Sequence, residues 1–254
     1  MDLNIFAEQC NNALFDGSEK SDMALNYLMG SRGLNETTIR EFTVGYCSSY
    51  QDLPGGTIKE QKANKGLLGK ITVPIRSEFG EVMALAGRYP LTASKGWFNQ
   101  IFEKSSHLFL FDKARKYAYE HNKIYLAEGY LDGMIPWQYG LHNISCIMGT
   151  HLGYRRVGLI SRYCDSVCLC FDTDVNQSGQ RAQRRSIAEL AILGIEGISK
   201  IELPMGDDPD DFVRKNGVQE FLDREVLIKK ADIKLAVREY QEERSRGGRN
   251  RNRG

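Results

Sequence analysis

Acidic side chains recur at a few positions of this chain where chemistry is possible. Glu128 follows the apolar run Ile124 to Ala127, and Asp172 and Asp174 follow Val167 to Phe171. Asp207, Asp208, Asp210 and Asp211 follow Ile198 to Leu203 in the segment MGDDPDD. Carboxylates gathered in one place repel one another unless cations neutralise them. Hard divalent ions with oxygen ligands, Mg²⁺ or Mn²⁺, suit such a set. In extended backbone, residues 172 and 174 project to one side. Pro209 holds Asp208 extended and bends the chain before Asp210. A single Asp in such a loop has a helix N-cap as its alternative reading. A cap needs one acid, whereas these loops carry two to four.

The elements that must hold these acids follow from periodicity. Short apolar strands (124–127, 144–148, 167–171 and 198–203) alternate with helices (131–139, 152–163 and 179–193). That alternation predicts a parallel sheet covered on both faces. Right-handed crossovers then bring every strand's carboxyl end, and so every acidic loop, to one edge. Upstream, Met23–Met29 reads as a helix capped by Ser21, and Asn35 caps a second helix through Phe42. Residues 50–66 read as a loop. Strands 71–75 and 82–86 form a hairpin about a turn at 76–80. Residues 90–107 read as a loop carrying Trp97, Phe98 and Phe102, and a helix is expected over 112–121. Residues 218–243 read as one charged helix, ending in the low-complexity tail RSRGGRNRNRG, expected to be disordered.

The 254 residues carry 34 basic and 33 acidic side chains, a formal charge of +1, which excludes a disordered polyelectrolyte. The charge is unevenly spread: residues 59–116 hold 11 basic and 5 acidic side chains, and residues 121–216 hold 10 and 12. A basic segment beside an acidic one suits a polyanion held against a cation site. No apolar run is long enough for a membrane span, and the polar N-terminus does not read as a signal peptide. The six cysteines form no CxxC pair, so a zinc ribbon is not indicated and reduced thiols in the cytoplasm are expected. Cys168 and Cys170 alternate on an apolar strand and read as core. His151 reads as structural. Arg181, Arg184 and Arg185 form a basic helix face.

Several motifs resemble a known family. Ala127-Glu128-Gly129-Tyr130-Leu131-Asp132 resembles the EGYMD motif of the TOPRIM domain, Gly149-Thr150 its GT, and Asp172-Thr173-Asp174 its DxD. Gly206-Asp207-Asp208-Pro209-Asp210 resembles the GxDPD segment of the bacterial and phage DnaG-type primases. Arg32-Gly33-Leu34, Phe42 to Tyr46, Pro74-Ile75-Arg76, Ala86-Gly87-Arg88, Asn99 and Ile101 to Lys104 resemble further signatures of that catalytic core, over residues 24–217. The resemblance implies an α/β fold: a TOPRIM parallel-sheet domain at 122–217, preceded by an α+β basic subdomain at 1–121. A short C-terminal helical segment follows at 218–254.

The activity implied is synthesis of short RNA primers on single-stranded DNA by metal-dependent nucleotidyl transfer from ribonucleoside triphosphates, using two or more Mg²⁺ or Mn²⁺ ions. Glu128, Asp172 and Asp174 would be catalytic. Glu128, Asp172, Asp174, Asp208 and Asp210 would hold the ions, with Asp132 in support. Arg32, Lys70, Arg76, Arg88, Asn99 and Lys104 would line a groove for template and nucleotide. The family's zinc-binding and helicase-binding modules have no counterpart in the sequence, so a separate zinc-binding recognition module and a replicative helicase are the expected partners. The setting would be the cytoplasm of a bacterial cell or phage-infected host. Lys70 stands for a family Arg, Gly96 for a Lys and Ser105 for a Gly.

Rival readings are a TOPRIM nuclease, an accessory nucleic-acid-binding replication protein, and a haloacid dehalogenase phosphatase. The last is disfavoured because only 35 residues separate Asp172 from Asp207.

Overall fold

The computed structural model describes residues 2–48, 64–90, 96–171 and 177–251. It divides into two compact units, residues 1–107 and 108–254.

The first unit opens with helix α1 (Leu3–Leu14), capped by the Asp2 carboxylate, which accepts from Asn4 N at 2.8 Å. Its buried residues Phe6, Ala7, Cys10 and Leu14 form one helical stripe. Helix α2 (Glu19–Asn26) starts earlier than the sequence predicted, because Ser18 rather than Ser21 is its cap. Ser21 is buried, and its hydroxyl donates to Asp16 at 2.5 Å. A π-helical turn, Tyr27–Ser31, carries this helix into the loop that holds Arg32. Helix α3 (Glu36–Glu41) is capped as expected by Asn35, which accepts from Thr38 N at 2.8 Å.

An antiparallel sheet follows, in the order β1 (Gly45–Tyr46), β2 (Ile71–Arg76), β3 (Val82–Arg88) and β4 (Phe98–Asn99). Strands β2 and β3 are the expected hairpin. The two-residue β4 lies in a segment read as loop; it is too short for a periodic signal and exists because it pairs with Ala86 and Gly87. At Gly45 a Cβ would lie 2.3 Å from the carbonyl carbon of Cys10, so glycine lets α1 lie close on β1.

The second unit begins at Leu108. Helix α4 (Phe111–Glu120) places Phe111 and Ala118 in this unit's core, ahead of the boundary expected after residue 121. The five-stranded sheet has the order β6-β5-β7-β8-β9, with β5 (Lys123–Ala127), β6 (Ile144–Cys146), β7 (Ser166–Cys170), β8 (Gly197–Ile201) and β9 (Glu225–Leu227). The first four are mutually parallel, as the alternation required. Helices α5 (Tyr130–Gln138), α6 (Tyr154–Ile160) and α7 (Gln177–Ile192) are the crossovers. Leu126, Leu169, Ile198, Val157, Ile160 and Ala188 are fully or almost fully buried between sheet and helices. All six cysteines are buried thiols, as the alternating pattern at 168 and 170 implied.

Three expectations fail here. Strand β6 stops at Cys146 because Met148 adopts φ 56°, which turns the chain into the glycine loop. The stretch 218–243 is not one helix but α9 (Val218–Leu222), β9, and α10 (Lys230–Arg251). Strand β9 pairs antiparallel with β8, and its Glu225 carboxylate accepts from Lys123 Nζ, Tyr125 Oη and Ser199 Oγ. A polar tie between distant strands leaves no helical or alternating pattern to read. Helix α10 runs to Arg251, through most of the low-complexity tail expected to be disordered. No helix among the described residues is long and apolar enough to cross a membrane.

Candidate metal centre and nucleic-acid interface

Strands β5, β6, β7 and β8 are parallel, so the loops after Ala127, Cys146, Cys170 and Ile201 share one edge of the sheet. Glu128 sits at the end of β5, half-buried, and its carbonyl accepts from Gly149 N at 3.1 Å. This bond joins the loop after β5 to the GT loop after β6.

Gly129 then caps helix α5 through a backbone device. Its N–H donates to Asp132 Oδ2 at 2.9 Å, so the acid in the helix's first turn folds back towards the strand end. A Cβ on residue 129 would lie 2.6 Å from that oxygen, so a larger residue here would displace the Asp132 carboxylate.

From the other side comes α8 (Pro209–Asn216). Asp208 is its N-cap in extended conformation, accepting from Asp211 N at 2.8 Å, and Pro209 occupies the first turn, where its missing N–H costs nothing. Asp210 is 2% exposed and lies 3.4 Å from Arg214; Asp211 pairs with the same guanidinium. Helices α5 and α8 pack together.

The outcome is a cluster of three carboxylates. Asp132, Asp208 and Asp210 each offer an oxygen, and these oxygens all lie within 4.8 Å of one another. Asp208 is thus a helix cap, and a carboxylate has lone pairs left over for a cation while it caps. Three hard oxygen donors converging on a half-buried edge fit a divalent cation. Among the described residues Glu128 is not in this trio. Asp172 and Asp174 lie outside the described residues.

Asp132 was expected only in support, yet it joins Asp208 and Asp210. The available signal was an acid at the third position of a helix whose N-cap is glycine, the sequence form of a backbone cap.

The candidate basic residues of the first unit do not form one set. Lys70 precedes β2, Arg88 ends β3 opposite Ile71, and Asn99 pairs with Ala86, so these three share one end of the sheet. Arg88 stands 5.8 Å over Trp97, and Asn99 Nδ2 is 3.5 Å from the Trp97 carbonyl. Lys70 Nζ lies 4.6 Å from the Tyr89 ring and 4.9 Å from Phe98, and donates to the Gly66 carbonyl. Burial among these groups holds its pKa below the ordinary lysine value.

Arg76 is at the opposite end of β2, about 17 Å away along a six-residue strand. Its guanidinium donates to the Gly80 carbonyl at 2.9 Å and to Thr43 Oγ1 at 3.0 Å, bracing the hairpin turn. Arg32 donates to Tyr27 Oη at 2.8 Å, and Lys104 opens a short 3₁₀ turn. The structure thus brings Lys70, Arg88 and Asn99 together and sets Arg76 apart.

Comparison with known proteins adds family information. A family model described as Toprim-like matches residues 125–213. The DNA primase of Enterococcus faecalis is 29% identical over 227 residues, covering 78% of this chain and 36% of that protein. The DNA primase of Rickettsia typhi is 30% identical over 221 residues, covering 78% and 37%. The chain thus spans about a third of the length of the curated relatives it matches. Among solved structures, the Aquifex aeolicus primase (zinc-binding and RNA polymerase domains) superposes with TM-score 0.74 at 25% identity, over 96% of this chain and 64% of that one. A DnaG primase catalytic domain bound to single-stranded DNA shares the fold with TM-score 0.71 at 22% identity, over 87% and 78%.

Proposed function

We propose that this chain, a Toprim-containing homologue of bacterial DNA primases with the fold of the DnaG catalytic core, synthesises short RNA primers on a single-stranded DNA template during DNA replication. The observation that carries the proposal is the convergence of Asp132, Asp208 and Asp210 at the edge of the sheet where Glu128 follows β5.

The reaction class is attack of a ribonucleotide 3′-hydroxyl on the α-phosphate of an incoming ribonucleoside triphosphate, with loss of pyrophosphate. Bound divalent cations, Mg²⁺ or Mn²⁺, would supply charge neutralisation for the phosphates and the two reacting oxygens. We assign their binding to Asp132, Asp208 and Asp210, together with Glu128, Asp172 and Asp174. The chain's own work is to orient carboxylates and hold phosphates, because phosphoryl-type transfer needs alignment more than covalent chemistry. The Gly129 cap aims Asp132, the α8 cap aims Asp208, and Arg214 restrains Asp210.

In the first unit, Arg88 and Asn99 are assigned to the backbone of the template, with Lys70 as their support beneath Tyr89 and Phe98. Arg32 and Lys104 would add further positive charge for template or nucleotide. Binding of this kind weakens as salt rises. Domain roles follow: a basic template-holding subdomain over residues 1–107 and a catalytic metal-binding domain that begins at Leu108. A helicase and a zinc-binding recognition module are the partners this reading calls for, in the cytoplasm.

The test is a de novo synthesis assay on single-stranded DNA with labelled ribonucleotides and Mg²⁺ or Mn²⁺. Primers should appear in the wild type and vanish in Glu128→Gln, with DNA binding retained. Strand cleavage without ribonucleotide incorporation would replace this reading with that of a nuclease.

A further inference from the structure

A buried carboxylate beside the GT loop plays no part in the cation site. Glu189, on α7, is 0% exposed, far from the usual condition of an acid. Its Oε2 accepts from Gly153 N at 2.8 Å, fixing the end of the loop after β6. Its Oε1 accepts from Arg185 Nε and Tyr240 Oη, both at 3.3 Å, and lies 3.6 Å from His151 Nδ1.

The His151 side chain is itself 52% exposed: its Nδ1 edge is turned to the buried acid, the ring lies beside Gly153, and the remainder is open to solvent. Arg156, 4% exposed on α6, donates to the carbonyls of His151 at 2.6 Å and Leu152 at 3.4 Å, which braces the same loop from within. Arg156 and the buried acid therefore brace the loop that carries an exposed imidazole.

The place of that imidazole is bounded by the chain. Gly149 N is bonded to the carbonyl of Glu128 at 3.1 Å. His151 is two residues further on, so its Cα is within about 8 Å of that of Gly149. It therefore stands on the acidic edge of the sheet, one loop away from Glu128. The carboxylate 3.6 Å from Nδ1 draws that edge of the ring towards Glu189, and Nε2 is a donor when the ring is charged.

We propose that His151, oriented by Glu189, contacts the polyphosphate of the incoming nucleotide at the catalytic edge. The proposal rests on the primer-synthesis reading for the identity of that anion. Glu189 is a positioning residue; His151 is the group that touches the ligand. The groups facing the ring are Glu189 and Arg185 from α7 and Arg156 from α6, with Tyr240 from α10 on the same carboxylate. Burial, with Arg185 and Arg156, holds His151 below its ordinary value against the opposing pull of Glu189, and an anion beside the ring would raise it.

The experiment is an NMR titration of the four histidines of the full chain, with inorganic pyrophosphate as the probe and His151→Gln assigning the signal. The expected result is an upward shift of about one pH unit in the midpoint of His151, with His107, His121 and His142 unmoved. A shift shared equally by all four histidines, or none at His151, overturns the proposal whether or not primers are made.

Kinetics give the second readout. His151→Gln should raise the KM for ribonucleotides about fivefold to tenfold with little change in kcat. Its KM should also lose the rise that the wild type shows as pH increases through the His151 midpoint, an effect that a structural histidine would not produce. Wild-type primer synthesis with a pH-independent KM in both proteins would refute the His151 assignment and leave the parent reading standing.

Discussion

Asp208 is asked to do two things at once, and substitutions can separate them. One oxygen caps α8 by accepting from Asp211 N at 2.8 Å, and the side chain contributes to a trio whose oxygens lie within 4.8 Å. At that separation, two carboxylates repel by about 0.9 kcal/mol in a water-like dielectric, and by about 3.5 kcal/mol at an effective dielectric near 20. Asp132 and Asp208 are half-exposed, which favours the lower figure. Both Asp208→Asn and Asp208→Ala remove this repulsion. Asn is as good a helix cap as Asp, whereas Ala forfeits about 1 kcal/mol. In metal-free buffer, Asp208→Asn should therefore melt at or above the wild type, and about 2–4 °C above Asp208→Ala. Titrating Mg²⁺ should raise the wild-type melting temperature, and this rise should be largely lost in both variants. The assay is differential scanning fluorimetry with a chelator and then with increasing MgCl₂. If the Asn and Ala proteins melt together, the cap contributes nothing. If Mg²⁺ stabilises Asp208→Asn as much as the wild type, the trio is not the cation site.

Other outcomes follow from the same geometry. Gly129→Ala would push a Cβ to 2.6 Å from Asp132 Oδ2, so primer synthesis should fall by at least tenfold while circular dichroism stays native. Arg88→Ala should weaken single-stranded DNA binding and lower the slope of log affinity against log salt by about 0.7; Arg76→Ala should instead lower thermal stability by about 1–2 kcal/mol and leave that slope intact, because its guanidinium is spent on Gly80 and Thr43. Burial alone would raise Glu225, but hydrogen bonds from Lys123, Ser199 and Tyr125 outweigh it and hold the carboxyl below its ordinary 4.5. A lowered folded pKa gives stability that is present above the unfolded value and lost as pH falls through the folded one. Denaturant midpoints should therefore drop between about pH 5 and pH 3 in the wild type, and less steeply in Glu225→Gln.

The parallel core of the second unit was legible in the sequence, because apolar strands and amphipathic helices carry their own periods. Strands β5, β7 and β8 fall within about two residues of where their apolar runs lie, and with them the edge that collects Glu128 and Asp208. The cap at Asn35 was legible for the same local reason: a side chain bonding three residues ahead leaves its mark in a four-residue window. What tertiary structure decided is whatever depends on distant partners. Strands β4 and β9 exist only because β3 and β8 offer them edges. Arg76 and Arg88 look alike in sequence, but a six-residue strand puts them at opposite ends of a hairpin and gives one a turn to brace. Asp132 enters the acidic trio because α5 packs against α8, and the burial of Glu189 behind His151 depends on α6, α7 and α10 meeting there. Local sequence sets which backbone each residue prefers; which side chains meet is set by how the finished layers close on one another.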